Sequence, residues 1–345
     1  MSRFRFGIVG TGLIGAVTAD AIAKSSNSEL KAVSGRRIET AQKFVEKRPG
    51  VKAVQGLEGL LGDDGVDAIY IATPTATKEE IALAAIHAGK HVLVEKPFFD
   101  LASLLRITDA ADRKGVVFMD ATHFVHHLRT SKIKDARTKM GSPKSLHTTF
   151  YFPFSDRSNI RFDVKMEPMG ALGDMAWYSM RAAVEFLRPA GRITMVTAVA
   201  DRDPNTTAIV RASGLIAFES KEVTTFDIGY TAGTAIMDLE LLGTNGVISM
   251  DDFVLDWKNS WAFKNPDIEA GYVFRMGMAT RKEIQFVSTT MNTAQEVAMI
   301  ENFAELAKSG TSERRTQFVA SSLKTQECLD ALYTACSAST PVVSR

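Results

Sequence analysis

An apolar run, FRFGIV, meets glycines at positions 10, 12 and 15 and passes directly into LIGAVTADAIAKS, which reads as a helix. G-x-G-x-x-G between a strand and a helix restricts the chain to a βαβ unit. Gly10 makes the tight turn, Gly12 lets backbone approach a pyrophosphate, and Gly15 lets helix and strand pack closely. Thr11, Leu13 and Ile14 complete this loop, where free N–H groups of a helix N-terminus favour an anion. The alternation then continues through LKAVS and ETAQKFVEK, DAIYIA and KEEIALAAIHAG, HVLVE and LASLLRITDAADRKG, and ends with VVFMDA. Strands separated by helical patterns of this length predict a parallel, doubly wound nucleotide-binding domain over residues 1–122.

Beyond it the period shortens to two. LHTTFYF, ITMVTAVAD, AIVRASGLIAF, TTFDIGY, IMDLELLG and GVISMD predict one large, mostly antiparallel open sheet. Helical stretches interrupt it at residues 172–187 and follow it near the end. The fold class is therefore α/β, with an N-terminal Rossmann domain followed over residues 123–345 by an α+β domain.

Charge limits the partners. The 41 Lys and Arg residues stand against 40 Asp and Glu. Such a balance excludes nucleic acid or an anionic membrane as the main partner, since both select a positive excess. No eighteen apolar residues run uninterrupted and no signal-type h-region opens the chain, so a cytoplasmic location is expected. Cys328 and Cys336, the only cysteines, would lie about 12 Å apart along a helix, too far to pair within it, and read as small hydrophobes.

About twenty residues past the glycines, an acidic side chain would take the ribose 2′-hydroxyl of NAD. This chain has Ser34, Gly35, Arg36 and Arg37 there. A guanidinium fork suits a 2′-phosphate, so NADP is the expected cofactor and NAD the alternative.

Glu95, Lys96 and Pro97 end the run HVLV. Ligands of doubly wound sheets sit beyond the carboxyl ends of the strands, where a partly desolvated ammonium can hydrogen-bond a reacting oxygen and assist proton exchange. Pro97 would fix the direction of Lys96 through a constrained, cis-capable peptide bond. On these residues alone, an exposed strand-end lysine is the more ordinary reading.

GIVGTGLIG, IATPTATKEEIALAAIHAGKHVLVEKP and GALGDMAWY together resemble the glucose-fructose oxidoreductase, inositol dehydrogenase and rhizopine catabolism family, Gfo/Idh/MocA, over essentially the whole chain. The resemblance implies that Lys96 is catalytic, that Glu95 lies with it at the cofactor, and that Thr73, Pro74 and Thr75 line the cofactor. It places the second half of a proton relay in MGALGDMAWYSMR, at Asp174 and Tyr178. On a helix, residues i and i+4 share a face. Tyrosine there resembles the branch acting on pyranoses and dihydrodiols. Its phenol, ordinarily titrating near 10, becomes a workable acid/base beside a lysine ammonium. The roles implied are Tyr178 as acid/base, Lys96 as polariser and Asp174 as hydrogen-bonding clamp.

Thr75 and Lys78 stand where the family has Asn and His, and His123, His126 and His127 replace an arginine-aromatic-proline element. His123 and His127 have zinc-compatible spacing if helical, but no third ligand follows, so no metal is expected. His123 and Arg161 are candidate substrate contacts beside Lys96, Asp174 and Tyr178. Arg157 is a weaker one, and Trp177 reads as core.

The function expected is NADP-dependent hydride transfer between the nicotinamide and a carbinol or carbonyl of a pyranose or cyclic diol, as in D-xylose or dihydrodiol dehydrogenases. The alternatives are a tightly held cofactor recycled in aldose-ketose oxidoreduction or redox-assisted glycoside cleavage, and a non-catalytic nucleotide sensor. Similar proteins use the sheet face to assemble, so a homodimer or homotetramer is expected.

Overall fold

The computed structural model describes residues 2–280, 283–310 and 313–338. It separates into two compact units, Met1–His126 with Thr293–Leu323, and His127–Asn292 with Lys324–Arg345.

In the first unit six strands, β1 (Phe4–Val9), β2 (Ser28–Gly35), β3 (Lys52–Gln55), β4 (Ala68–Ile71), β5 (His91–Val94) and β6 (Phe118–Asp120), lie in the order 3-2-1-4-5-6. Every adjacent pair is parallel. The connecting helices are α1 (Leu13–Lys24), α2 (Ile38–Val45), α3 (Glu58–Leu61), α4 (Thr75–His87) and α5 (Leu101–Lys114). This is the Rossmann sheet expected, with its strand order reversing between β1 and β4. Apolar runs such as AIYI are buried on both faces, as strands covered by helices on two sides must be. β3 escapes the alternation because KAVQ is an edge strand, exposed at both ends and only half-buried between.

Helical pattern decides the ends. Asp100 caps α5 by accepting from the Ser103 N–H at 2.6 Å. The first unit is completed by a late helix: residues 295–308 pack Val297, Ile300 and Phe303 into the cluster of Phe4, Phe6, Ile8 and Leu93. The Phe303 ring lies 5.7 Å from Phe6.

The second unit opens with α6 (Leu128–Met140) and β7 (Pro143–Tyr151). A continuous helical run follows, comprising a π turn (Leu172–Ala176), α7 (Trp177–Ala182) and a second π turn (Ala183–Leu187). Seven further strands complete the sheet: β8 (Ile193–Arg202), β9 (Ile209–Phe218), β10 (Val223–Gly229), β11 (Ile236–Gly243), β12 (Gly246–Met250), β13 (Gly271–Met276) and β14 (Gln285–Ser288). The order is 14-13-12-11-7-10-9-8, antiparallel except for the pair β7–β10. Period-2 side chains explain its two faces. Leu146, Thr148 and Phe150 of β7 and Met237, Leu239 and Leu241 of β11 are buried, while His147 and Glu240 between them are exposed. Trp177, Phe186 and Leu187 of the helical run are also buried.

The chain ends with α8 (Gln295–Lys308), the late helix of the first unit, and α9 (Glu313–Ala338). Cys328 and Cys336 are buried free thiols on α9, and burial pushes the Cys328 thiol up to about 12. Among the described residues no helix is long and apolar enough to cross a membrane.

Candidate active site

At the end of β1, Gly10 adopts φ +117°, a left-handed conformation open to glycine, and a side chain there would meet the Ala72 carbonyl oxygen at 2.6 Å. A Cβ on Gly15 would lie 2.4 Å from the Gly10 carbonyl oxygen, whereas one on Gly12 would meet nothing within 4 Å. Packing therefore explains the outer glycines, and the middle one leaves open space. Gly12 also N-caps α1, and no side chain caps that helix. The first-turn N–H groups are left for an anion, with Thr11, Leu13 and Ile14 framing them.

The other expected cofactor residues lie at the carboxyl ends of the neighbouring strands. Ser34, buried at the end of β2, donates to the Gly56 carbonyl at 2.5 Å. A Cβ on Gly35 would lie 2.6 Å from the Thr40 hydroxyl, so the usual acidic side chain requires Thr40 to move. Arg36 and Arg37 are exposed. Beyond β4, the Thr73 hydroxyl is buried without a hydrogen-bond partner among the described residues. Pro74 caps α4, and Thr75 begins it. An uncapped helix N-terminus, open space at Gly12 and an orphaned hydroxyl on β4's end together fit a dinucleotide.

Beyond β5, the Glu95 N–H donates to Ile71 at 3.0 Å, and the Glu95 carboxylate accepts a hydrogen bond from Tyr70. The Lys96–Pro97 peptide bond is cis. Phe98 packs 5.7 Å from Phe118. Lys96 is half-buried on this turn.

His123 and His126 belong to a 3₁₀ turn, and His127 is the extended N-cap of α6, so the histidine run is not one helix. The helical condition under which His123 and His127 would share one face is therefore not met. His123 is hydrogen-bonded through Nδ1 to Gln295 at 2.7 Å. Burial pushes its imidazole down to about 3, and the Lys96 ammonium acts in the same direction. His126 stacks on Phe318 at 5.5 Å and bonds Asn302 through Nδ1. In the second unit, the His127 Nδ1 accepts from the Arg129 N–H at 3.0 Å. No cluster of three His, Cys, Asp or Glu side chains able to hold a metal occurs among the described residues.

In the second unit, Asp174 lies in the first π turn and Tyr178 on α7. The Arg161 Nε donates to the Asp174 carboxylate at 2.6 Å, and the Tyr230 hydroxyl donates to the same oxygen at 3.3 Å. The Arg161 guanidinium also sits over the Phe154 ring, 4.5 Å from its centroid. Asp174 holds this guanidinium's pKa well above its ordinary value despite burial. Burial, reinforced by the Asp174 charge, raises the Tyr230 phenol. Tyr178 is buried and meets Phe150 edge to face, with centroids 5.7 Å apart. Arg161 and Asp174 are thus brought together, while Arg157 pairs elsewhere, with Asp203 at 2.6 Å. Trp177 is fully buried core. Tyr230 was not singled out in the sequence. An aromatic at the end of TTFDIGY carries no local mark of a polar partner 56 residues away.

The model of an "Oxidoreductase family, NAD-binding Rossmann fold" matches residues 4–122, and that of the "GFO/IDH/MocA C-terminal domain" matches residues 135–249. The dTDP-3,4-didehydro-2,6-dideoxy-alpha-D-glucose 3-reductase of Streptomyces violaceoruber is 31% identical over 238 residues, 67% of each chain. Its counterpart in Actinomadura kijaniata is 34% identical over 46% of this chain and 48% of the relative, so that match spans about half the relative's length. The D-xylose 1-dehydrogenase (NADP(+)) 2 of Haloferax volcanii is 27% identical over 66% of this chain and 74% of its own. Among solved structures, a 3-ketoreductase from Actinomadura kijaniata in complex with NADP and TDP-benzene superposes with a TM-score of 0.84 at 24% identity. That superposition covers 97% of this chain and 98% of the other.

Proposed function

The chain belongs to the Gfo/Idh/MocA family of oxidoreductases, and on that premise we propose an NADP-dependent enzyme that moves hydride between the nicotinamide and a carbinol or carbonyl carbon of a pyranose sugar or cyclic diol. The carrying observation is that the glycine cradle, the orphaned Thr73 hydroxyl and the Lys96 turn line the carboxyl ends of one parallel sheet. The names of relatives support the substrate class, since they reduce a keto-sugar nucleotide or oxidise xylose with NADP.

The Gly10–Gly15 loop would hold the pyrophosphate, with Ser34, Arg36 and Arg37 at the adenosine ribose. Thr73, Pro74, Thr75 and Glu95 would line the nicotinamide half. When bound there, the dinucleotide would supply or accept the hydride. Lys96 polarises the reacting oxygen, Tyr178 exchanges its proton, and Asp174, oriented by the Arg161 hydrogen bond, accepts a substrate hydroxyl. His123 donates a further hydrogen bond to the substrate from a neutral ring, because its low pKa keeps it uncharged at neutral pH. A panel of aldoses, keto-sugars, sugar nucleotides and cyclic diols, assayed with both cofactors by absorbance of the reduced nicotinamide, tests the proposal. Absence of turnover on every member with either cofactor sinks it.

For Arg36→Ala we expect NADP affinity to fall by roughly ten- to a hundredfold, the loss of one hydrogen bond to a charged group. NAD affinity should be nearly unchanged. Fluorescence titration of both reduced cofactors checks this, and equal losses would mean that Arg36 does not touch the 2′-phosphate.

A cytoplasmic homodimer or homotetramer completes the reading. On the solvent face of the sheet Met195, Val199, Leu242 and Phe286 are 60%, 63%, 46% and 47% exposed, scattered among polar side chains such as His147, Thr225 and Glu240, and a second copy would cover them. The double substitution Val199→Lys with Leu242→Lys is expected to give monomers in light scattering. An assembly of unchanged mass would remove this face from the contact.

A further inference from the structure

Lys78 is buried, with 2% of its surface exposed, in the first turns of α4. A cation at a helix N-terminus opposes the helix dipole, and a buried one also loses its hydration. Such placement calls for a compensating arrangement. The Lys78 Nζ donates to the Lys96 carbonyl at 2.9 Å, the Pro97 carbonyl at 2.8 Å and the Thr75 hydroxyl at 3.2 Å. Three N–H donors thus meet three acceptors, two of them consecutive carbonyls flanking Pro97.

We propose that Lys78 is a positioning residue that fixes the backbone of the Glu95-Lys96-Pro97 turn and so aims the Lys96 side chain. The proposal rests on the catalytic reading of Lys96 given above. The turn is held on its near side by the Glu95 N–H on Ile71 and by Tyr70 on the Glu95 carboxylate. Lys78 holds its far side. Through the Thr75 hydroxyl the same ammonium also joins the turn to the start of α4. A histidine, the residue usual at this position in the family, has at most one N–H on each ring nitrogen. It cannot bridge both carbonyls and the hydroxyl from a single atom as an ammonium does.

The test compares Lys78→Met and Lys78→His with the wild type in two measurements. The first is steady-state kinetics on a sugar that the panel identifies. Misplacing a catalytic group by about an ångström costs on the order of a hundredfold, so Lys78→Met is expected to lower kcat by that factor while KM and NADPH affinity change little. Lys78→His should retain part of the activity. The second needs no turnover. It reads the ¹³C-dimethyl signal of Lys96 after reductive methylation, identified by its loss in Lys96→Arg, and Lys78→Met is expected to shift it. A lower melting temperature with unchanged kcat per folded molecule would overturn the proposal, as would an unmoved Lys96 signal whatever happens to kcat. If Lys78→Met does not fold, Lys78→His decides by the same two readouts. Should Lys96→Met retain wild-type turnover, the catalytic reading of Lys96 fails instead, and the signal alone decides whether Lys78 orients that side chain.

Discussion

Lys96→Met should lower kcat at least roughly a hundredfold, at the lower end of what removing an acid/base or polarising group costs, with NADP binding little changed. Methionine keeps an unbranched side chain of similar length and removes only the ammonium. Its backbone would still be held by the Ile71 and Lys78 bonds on either side, so the turn itself should persist. Electrostatics should respond as well. Because the Lys96 ammonium helps to hold the His123 imidazole down at about 3, its removal should let the His123 pKa rise toward its ordinary value, which NMR titration can follow. Initial rates within a few-fold of wild type would remove Lys96 from the chemistry.

For Tyr178→Phe we expect a loss of the same order, again at least about a hundredfold in kcat, with a different signature. The ring lies in the core against Phe150, and phenylalanine preserves that contact. Stability should therefore fall far less than activity, and a large drop in melting temperature would indicate a packing role. If the phenol exchanges the proton, the variant should also lose one limb of the pH dependence of kcat, which reports the acid or base in the bound complex. A pH profile retaining both limbs would assign the proton transfer elsewhere.

Much of this was legible before any coordinates. Period and glycine spacing foretold the parallel sheet because its strands are nearly continuous apolar runs bounded by turn residues. The antiparallel sheet was visible for the same reason in reverse, through alternation. What escaped was the edges. KAVQ, GYVFRM and QFVS lie at or near sheet margins, where partial exposure dilutes both patterns. The π turns flanking α7 were also invisible, since residues 172–187 read as an ordinary helix and nothing local announces the wider turn.

Among candidate residues, those carried by motif could be named, but their partners could not. Lys78 stood out only as a departure from the family pattern. Its role depends on backbone carbonyls 18 and 19 residues away, to which any sequence contributes equally. Tyr230 and Arg161 meet Asp174 from separate segments for a similar reason. Side-chain geometry across such distances is set by the fold and leaves no periodic trace.

The late return of α8 has a bearing on biogenesis. Phe303 and Ile300 are made more than 170 residues after the segment ending at His126, yet they complete the core built on Phe4 and Phe6. While the ribosome is still translating the middle of the message, the amino-terminal sheet waits with that hydrophobic strip uncovered. A nascent chain of this kind is a natural client for holdase chaperones. Expression of residues 1–126 alone should accordingly yield inclusion bodies, whereas a permuted gene placing residues 293–310 directly after them should yield material that stays in the supernatant.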